Sequence, residues 1–168
     1  MICRRTFVAA AASLAAPMLR AQVLPTAPIR IVVGFPPGGG TDILARVFAR
    51  HQRWAGAVRA AVQAWGLPIQ CADPAVYSPV LTGVITPRGV DADAVRRLIH
   101  DRFDLSLGTG LGKLKGRMFR IGHLGDCNDL TLLATLAGVE MGLKLSGVAL
   151  AGSGVTRAMD VFARPPQP

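Results

Sequence analysis

A chain of 168 residues with 51% apolar and 17% charged side chains is one domain's worth of sequence, long enough to bury a core, and wholesale disorder is excluded. The net charge of +9 invites a nucleic-acid reading, but the arginines are scattered, the lysines are few and Tyr77 is the one tyrosine, so no stacking platform accompanies the charge. The balance implies a basic surface that attracts small anions; no nucleic-acid partner is expected.

In chain order, "MICRR" is a short basic start and "TFVAAAASLAAPML" an apolar run too short for a comfortable bilayer span. Ala21 then offers a small-residue cleavage position, so residues 1–21 read as a secretory signal, with Arg4-Arg5-Thr6-Phe7 resembling an incomplete twin-arginine variant. The alternative is an Ala-rich helix belonging to the fold. The signal reading implies export to the periplasm and no stable membrane span. Cys3 lies inside this segment. Cys71 and Cys127 remain, without a CxxC pair or a histidine at ligand spacing, so no metal site is expected. Two small buried side chains is the preferred reading of these cysteines, with a single disulfide after export as the alternative.

"IRIVV" (residues 29–33) predicts a short buried strand, and "GFPPGGG" ends it with prolines and permissive glycines. Thr41 or Asp42 is expected to cap a helix whose apolar positions begin at Ile43, Leu44 and Val47. Free amides at such a start make Gly38, Gly39, Gly40, Thr41 and Asp42 a candidate anion-binding loop, although neither a Walker A nor a GxGxxG pattern is present. An ordinary strand–turn–helix is the plainer reading.

"RHQRWAGAVRAAVQAWGL" (50–67) predicts a helix burying Trp54, Val58, Ala61, Val62 and Trp65, ended by Gly66. A loop over 68–79 leads to a strand over 80–86. Asp91 is the expected cap of a helix burying Val95, Leu98, Ile99 and Phe103. Residues 105–125 predict two strands around a glycine-rich connection bearing Lys113 and Lys115. Residues 128–145 predict a helix capped by Asn128 or Asp129 and buried through Leu130, Leu133, Ala137 and Met141. The fold class is α+β: a small, mainly antiparallel sheet with helices on one face, followed by a frayed tail over 163–168.

Strand alternation in "GRMFRIGHLG" puts Arg117, Phe119 and Ile121 on one face and Met118, Arg120 and Gly122 on the other. With Phe119 and Ile121 turned to the helices, Arg120 points from the opposite face, with room beside Gly122. A fixed guanidinium there suits a carboxylate, held by two parallel hydrogen bonds. Arg117, at the strand's edge, is expected to reach solvent. His123 is a further candidate for lining this site. A surface arginine and a structural histidine are the bland alternatives.

Two resemblances sharpen these readings. The signal-like start with "APIRIVVGFPPGGGTDILAR" resembles the beginning of the tripartite tricarboxylate transporter solute-binding proteins, over about residues 1–48. That implies a periplasmic receptor for carboxylated solutes, whose corresponding loop holds a ligand carboxylate largely through backbone groups; the rest of such a receptor does not follow. From residue 48 to 162, "CADPAVYSPVLTGVITP", "FDLSLGTGLGKLKGRMFRIGHLGDCNDLTLLATLAGVEMGL" and "GSGVTRAMD" resemble the C-terminal domain of class V pyridoxal-phosphate aminotransferases of the serine–glyoxylate and alanine–glyoxylate kind. The resemblance implies the small domain that closes over pyridoxal phosphate, with Arg120 binding the substrate carboxylate and no catalytic residue of its own. The large domain with its cofactor lysine is missing, and none of Lys113, Lys115 or Lys144 matches that lysine.

The domain reading is therefore a signal-like segment (1–21), a receptor-like strand–loop–helix (22–48), an aminotransferase small domain (49–162) and a tail. The expected function is that of an incomplete relative of a serine or alanine–glyoxylate aminotransferase, inactive alone. Its expected partners are a small carboxylate substrate and either a separate large domain or a second copy of the chain. An exported carboxylate-binding module and a non-functional fusion product are the alternatives. The start says periplasm, and the aminotransferase-like part says cytoplasm.

Overall fold

The computed structural model describes residues 39–164. The signal-like segment 1–21, the strand expected over 29–33 and Gly38 lie outside the described residues.

Helix α1 (Gly40–Ala64) runs uninterrupted for 25 residues. Its N-cap is Gly39, with no side-chain hydrogen bond, rather than Thr41 or Asp42; Asp42 sits in the first turn and pairs with Arg46 one turn on at 3.0 Å. Glycine tolerates the extended N-cap conformation at little cost, so the helix starts earlier than the side-chain capping rule predicts. Burial changes sharply along α1. Ile43 and Leu44 are 55% and 70% exposed, whereas from His51 onward Trp54, Val58, Ala61, Val62 and Trp65 are all buried, as their spacing predicts. Gly66, at φ +75°, ends the helix as expected. Its amide bonds to Gln63 O and that of Leu67 to Val62 O, which satisfies carbonyls the last turn leaves open.

Segment 68–70 runs beside strand β1 (Leu81–Ile85), with Gln70 N–H donating to Gly83 O and Ile85 N–H to Pro68 O. Helix α2 (Ala92–Phe103) is capped by Asp91, whose side chain accepts from the amide of Asp93, and it buries Val95 and Ile99. Leu98 and Phe103 are half-buried. The next expected strand shrinks to the two residues of β2 (Gly108–Thr109), because a 3-10 turn at Gly112–Leu114 follows almost at once. Strand β3 (Met118–Gly122) is central: the sheet order is β1-β3-β2, antiparallel throughout. Val84, Phe119 and Ile121 face the helices and are fully buried.

Helix α3 (Asp129–Leu145) is capped by Asn128, in a reciprocal box with Thr131. Its buried face is Leu132, Leu136, Val139 and Leu143, not the expected one: Leu130 is 75% and Met141 45% exposed, with Leu133 and Ala137 half-buried. Apolar residues occur all round this helix, so spacing alone does not identify the inward side. A further helix, α4 (Gly154–Phe162), closes the bundle against α1 and α3. Its cap Ala163 and Arg164 bond back to the last turn. Among the described residues no helix is long and apolar enough to cross a membrane.

Candidate functional site

Arg120 occupies the middle of the central strand, and its cross-strand partners are glycines on both sides: Gly83 on β1 and Gly108 on β2. Gly108 is what gives the side chain its path. A Cβ built there would lie 2.9 Å from Arg120 Nε and 3.0 Å from its Cβ. Gly122, two residues along on the same face, is exposed with open space around it. Arg120 Nε is shut off from solvent with no acceptor, and among the described residues no hydrogen bond or ion pair engages the guanidinium. Arginine has five N–H donors and normally spends them when half-buried, so a guanidinium without acceptors among the described residues keeps donors that an anion could take.

That cavity, of about 190 Å³, lies between β1, β3 and the loop that follows α1. Arg120, Met118 and Gly83 form its floor; Gln70, Tyr77 and Ser78 come from the loop, brought there by the pairing of 68–70 with β1. Arg59 enters from α1. Its guanidinium stacks over the Tyr77 ring at 5.2 Å and donates one long bond, 3.4 Å, to Ser78 O. Burial lowers its pKa, partly offset by Tyr77. Sequence spacing places Arg59 only on the polar side of its helix; the loop's path, which no local pattern encodes, is what makes it a neighbour of Arg120.

His123 takes a different place from the one expected. Alternation continues past β3, so the ring falls on the helix-facing side with Ile121 and is fully buried. Nδ1–H donates to Pro79 O at 3.0 Å, which leaves Nε2 to accept from the Thr82 hydroxyl at 3.0 Å. Burial pushes its pKa down to about 4, against the opposing effect of the Pro79 carbonyl and with help from the Arg59 charge. It ties β3 to the loop and does not line the Arg120 cavity. Arg117 is exposed, just before β3. In the candidate anion loop, Gly39 and Gly40 stand at the start of α1, but the Asp42 carboxylate lies in the same first turn, where it competes with any anion.

Glu140 was not singled out by the sequence. It is buried on α3, and its Oε2 accepts from Trp65 Nε1 at 3.0 Å, from the amides of Gly154 and Val155 at 2.9 and 3.2 Å, and from Ser153 Oγ at 3.3 Å; Oε1 accepts from Lys144 at 2.9 Å. Burial alone would raise its pKa, but the bonds from Trp65, Lys144 and Val155, with the Lys144 charge, outweigh that and bring it to about 2. One carboxylate thus fastens α1, α3 and the start of α4 together. Asp129 plays a similar part at the start of α3, accepting from Trp54 Nε1 at 2.9 Å and Arg53 at 2.6 Å.

Pyridoxal phosphate needs a lysine amine, an acidic partner for the ring nitrogen and phosphate donors in one cavity. Neither lysine nor carboxylate lines the space beside Arg120, and Lys144 is committed to Glu140. The residues lining this cavity therefore do not by themselves make up a site for that cofactor.

Fold and site together define a small α+β domain whose central-strand arginine has no partner among the described residues. No family model matches the chain. It is 42% identical over 122 residues to serine–glyoxylate aminotransferase of Hyphomicrobium methylovorum, covering 72% of this chain and 30% of that protein. Against L-aspartate–glyoxylate aminotransferase of Paracoccus denitrificans it is 42% identical over 120 residues, 71% of this chain and 30% of the relative. The solved structure of pyridoxamine–pyruvate aminotransferase from Mesorhizobium loti matches with a TM-score of 0.66 at 34% identity, over 70% of this chain and 31% of that one. The matched part of the chain is similar in sequence and in fold to about a third of these aminotransferases. The chain spans about 30% of the length of these relatives.

Proposed function

We propose that these residues form the substrate-carboxylate-binding small domain of a glyoxylate aminotransferase, working with a cofactor-bearing portion that the described residues do not supply. The observation that carries this reading is the Arg120 guanidinium: flanked by two glycines, beside a cavity, with no acceptor among the described residues. Arg120 fixes the carboxylate of an amino acid or 2-oxo acid, so that the reacting carbon is presented to pyridoxal phosphate held by the partner portion. The amino donors named for the relatives, serine and aspartate, both carry that carboxylate. An apolar groove of Leu44, Phe48, Pro79, Val80 and Leu124 supports a covering partner.

We also read residues 1–48 as a fused receptor-like start with an export signal. The switch from exposed to buried side chains near His51 supports a boundary there. A peptide spanning Ile43–Trp54, sought by mass spectrometry in fractionated cells, tests both the fusion and the compartment.

The functional test mixes the full chain with the cofactor-bearing portion of the Hyphomicrobium relative, pyridoxal phosphate, serine and glyoxylate. Transamination that needs both pieces, and a fall of about 100-fold in kcat/KM for Arg120→Lys, is expected. A stable complex whose activity is indifferent to Arg120→Lys would refute the reading, and so would failure of the two pieces to associate.

A further inference from the structure

Two guanidinium groups share the Arg120 cavity, and no carboxylate among the described residues lines it. Arg59 is held in place but not neutralised. Its guanidinium carbon lies 5.2 Å over the Tyr77 ring, and one long bond to Ser78 O uses one of its five donors. A ligand with a single carboxylate, placed on Arg120, leaves the half-buried Arg59 charge without an anion. A ligand with a second carboxylate supplies one. The same cavity is also lined by apolar side chains, Ile69, Val76, Leu81 and Met118, which suit the methylenes of a short chain.

We propose that Arg59 and Arg120 form a two-arginine subsite that selects short dicarboxylates, Arg120 taking one carboxylate and Arg59 the other. This rests on the reading of Arg120 as the carboxylate-binding residue and adds a substrate class to it. Gln70 and the Ser78 and Tyr77 hydroxyls complete the polar rim. Burial already disfavours the charged form of Arg59, so a second anion relieves a cost the folded chain carries when the subsite is empty.

The test is calorimetry on the full chain at low salt, with propionate, succinate and glycerol phosphate as probes, for the wild type, Arg59→Gln, Arg59→Lys and Arg120→Gln. Succinate is expected to bind about tenfold tighter than propionate, the size of one partly exposed charge-assisted pair. That ratio falls to about one in Arg59→Gln and takes an intermediate value in Arg59→Lys, which keeps the charge but not the fork. A merely structural Arg59 would weaken both acids equally and leave the ratio unchanged. Equal affinity for the two acids in the wild type, with propionate still lost in Arg120→Gln, would overturn the subsite and leave the carboxylate reading standing. Binding insensitive to Arg120→Gln, or none at all, would overturn both. Glycerol phosphate binding as tightly as succinate with the same Arg59 dependence would overturn the dicarboxylate assignment.

Discussion

Replacing Glu140 by Gln should change how stability depends on pH in a way the structure fixes in both sign and window. The carboxyl goes from an ordinary value of 4.5 to about 2 in the fold, because the bonds from Trp65, Lys144 and Val155 outweigh the cost of its burial. A depressed carboxyl contributes stability that is fully present above pH 4.5 and is lost as pH falls through about 2. At about 1.4 kcal/mol per unit the full contribution is about 3 kcal/mol, shrinking to roughly half by pH 3. Glutamine keeps an oxygen for Trp65 and the α4 amides but cannot ionise. Urea unfolding of wild type and Glu140→Gln between pH 3 and 8 therefore predicts a gap that is constant above pH 5 and narrows below it. His123 supplies a separate window, since a histidine lowered from 6.5 to about 4 costs stability as pH falls between those values; it does so equally in both proteins and cancels in the gap. A gap that is flat down to pH 3, or that widens with acid, would refute the account of Glu140 as a charged clasp.

Two glycines test the packing around the site and the core. In Gly108→Ala the new methyl stands 2.9 Å from Arg120 Nε, so the guanidinium must shift. Calorimetry should show carboxylate affinity falling about tenfold, with about 1 kcal/mol lost in unfolding experiments; unchanged affinity would mean that Gly108 does not position Arg120. In Gly142→Ala the methyl runs into Ile99 across the α2–α3 contact, and about 2 kcal/mol should be lost in denaturant unfolding while carboxylate affinity stays the same.

Much of the fold was legible because local rules and tertiary packing agree there. The spacing of Trp54, Val58, Ala61, Val62 and Trp65 reports the inner face of α1, Asp91 reports the start of α2, and alternation across 118–122 separates Arg120 from Phe119 and Ile121. Where every position is apolar the signal vanishes, and on α3 the inner face passed from Leu132 to Leu143 rather than through Leu130 and Met141. Helix α4 is short, and its start is secured by Glu140 as well as its own Ser153 cap, a contact 14 residues distant in sequence that no window reveals. The site was half legible for the same reason. Arg120 follows from strand period; Arg59 joins it only through the course of the loop over 68–79; and His123 turns inward because the alternation that frees Arg120 carries on past the strand.

The most direct test of the central claim is to follow the arginine side-chain resonances of the isotope-labelled full chain while glyoxylate is added. The guanidinium of Arg120, without an acceptor among the described residues, should show saturable shifts at low salt that are absent in Arg120→Gln, while exposed Arg117 stays unmoved. Shifts spread evenly over the exposed arginines, with Arg120 silent, would mean that the chain attracts anions only through its net charge and that the central strand holds no carboxylate site.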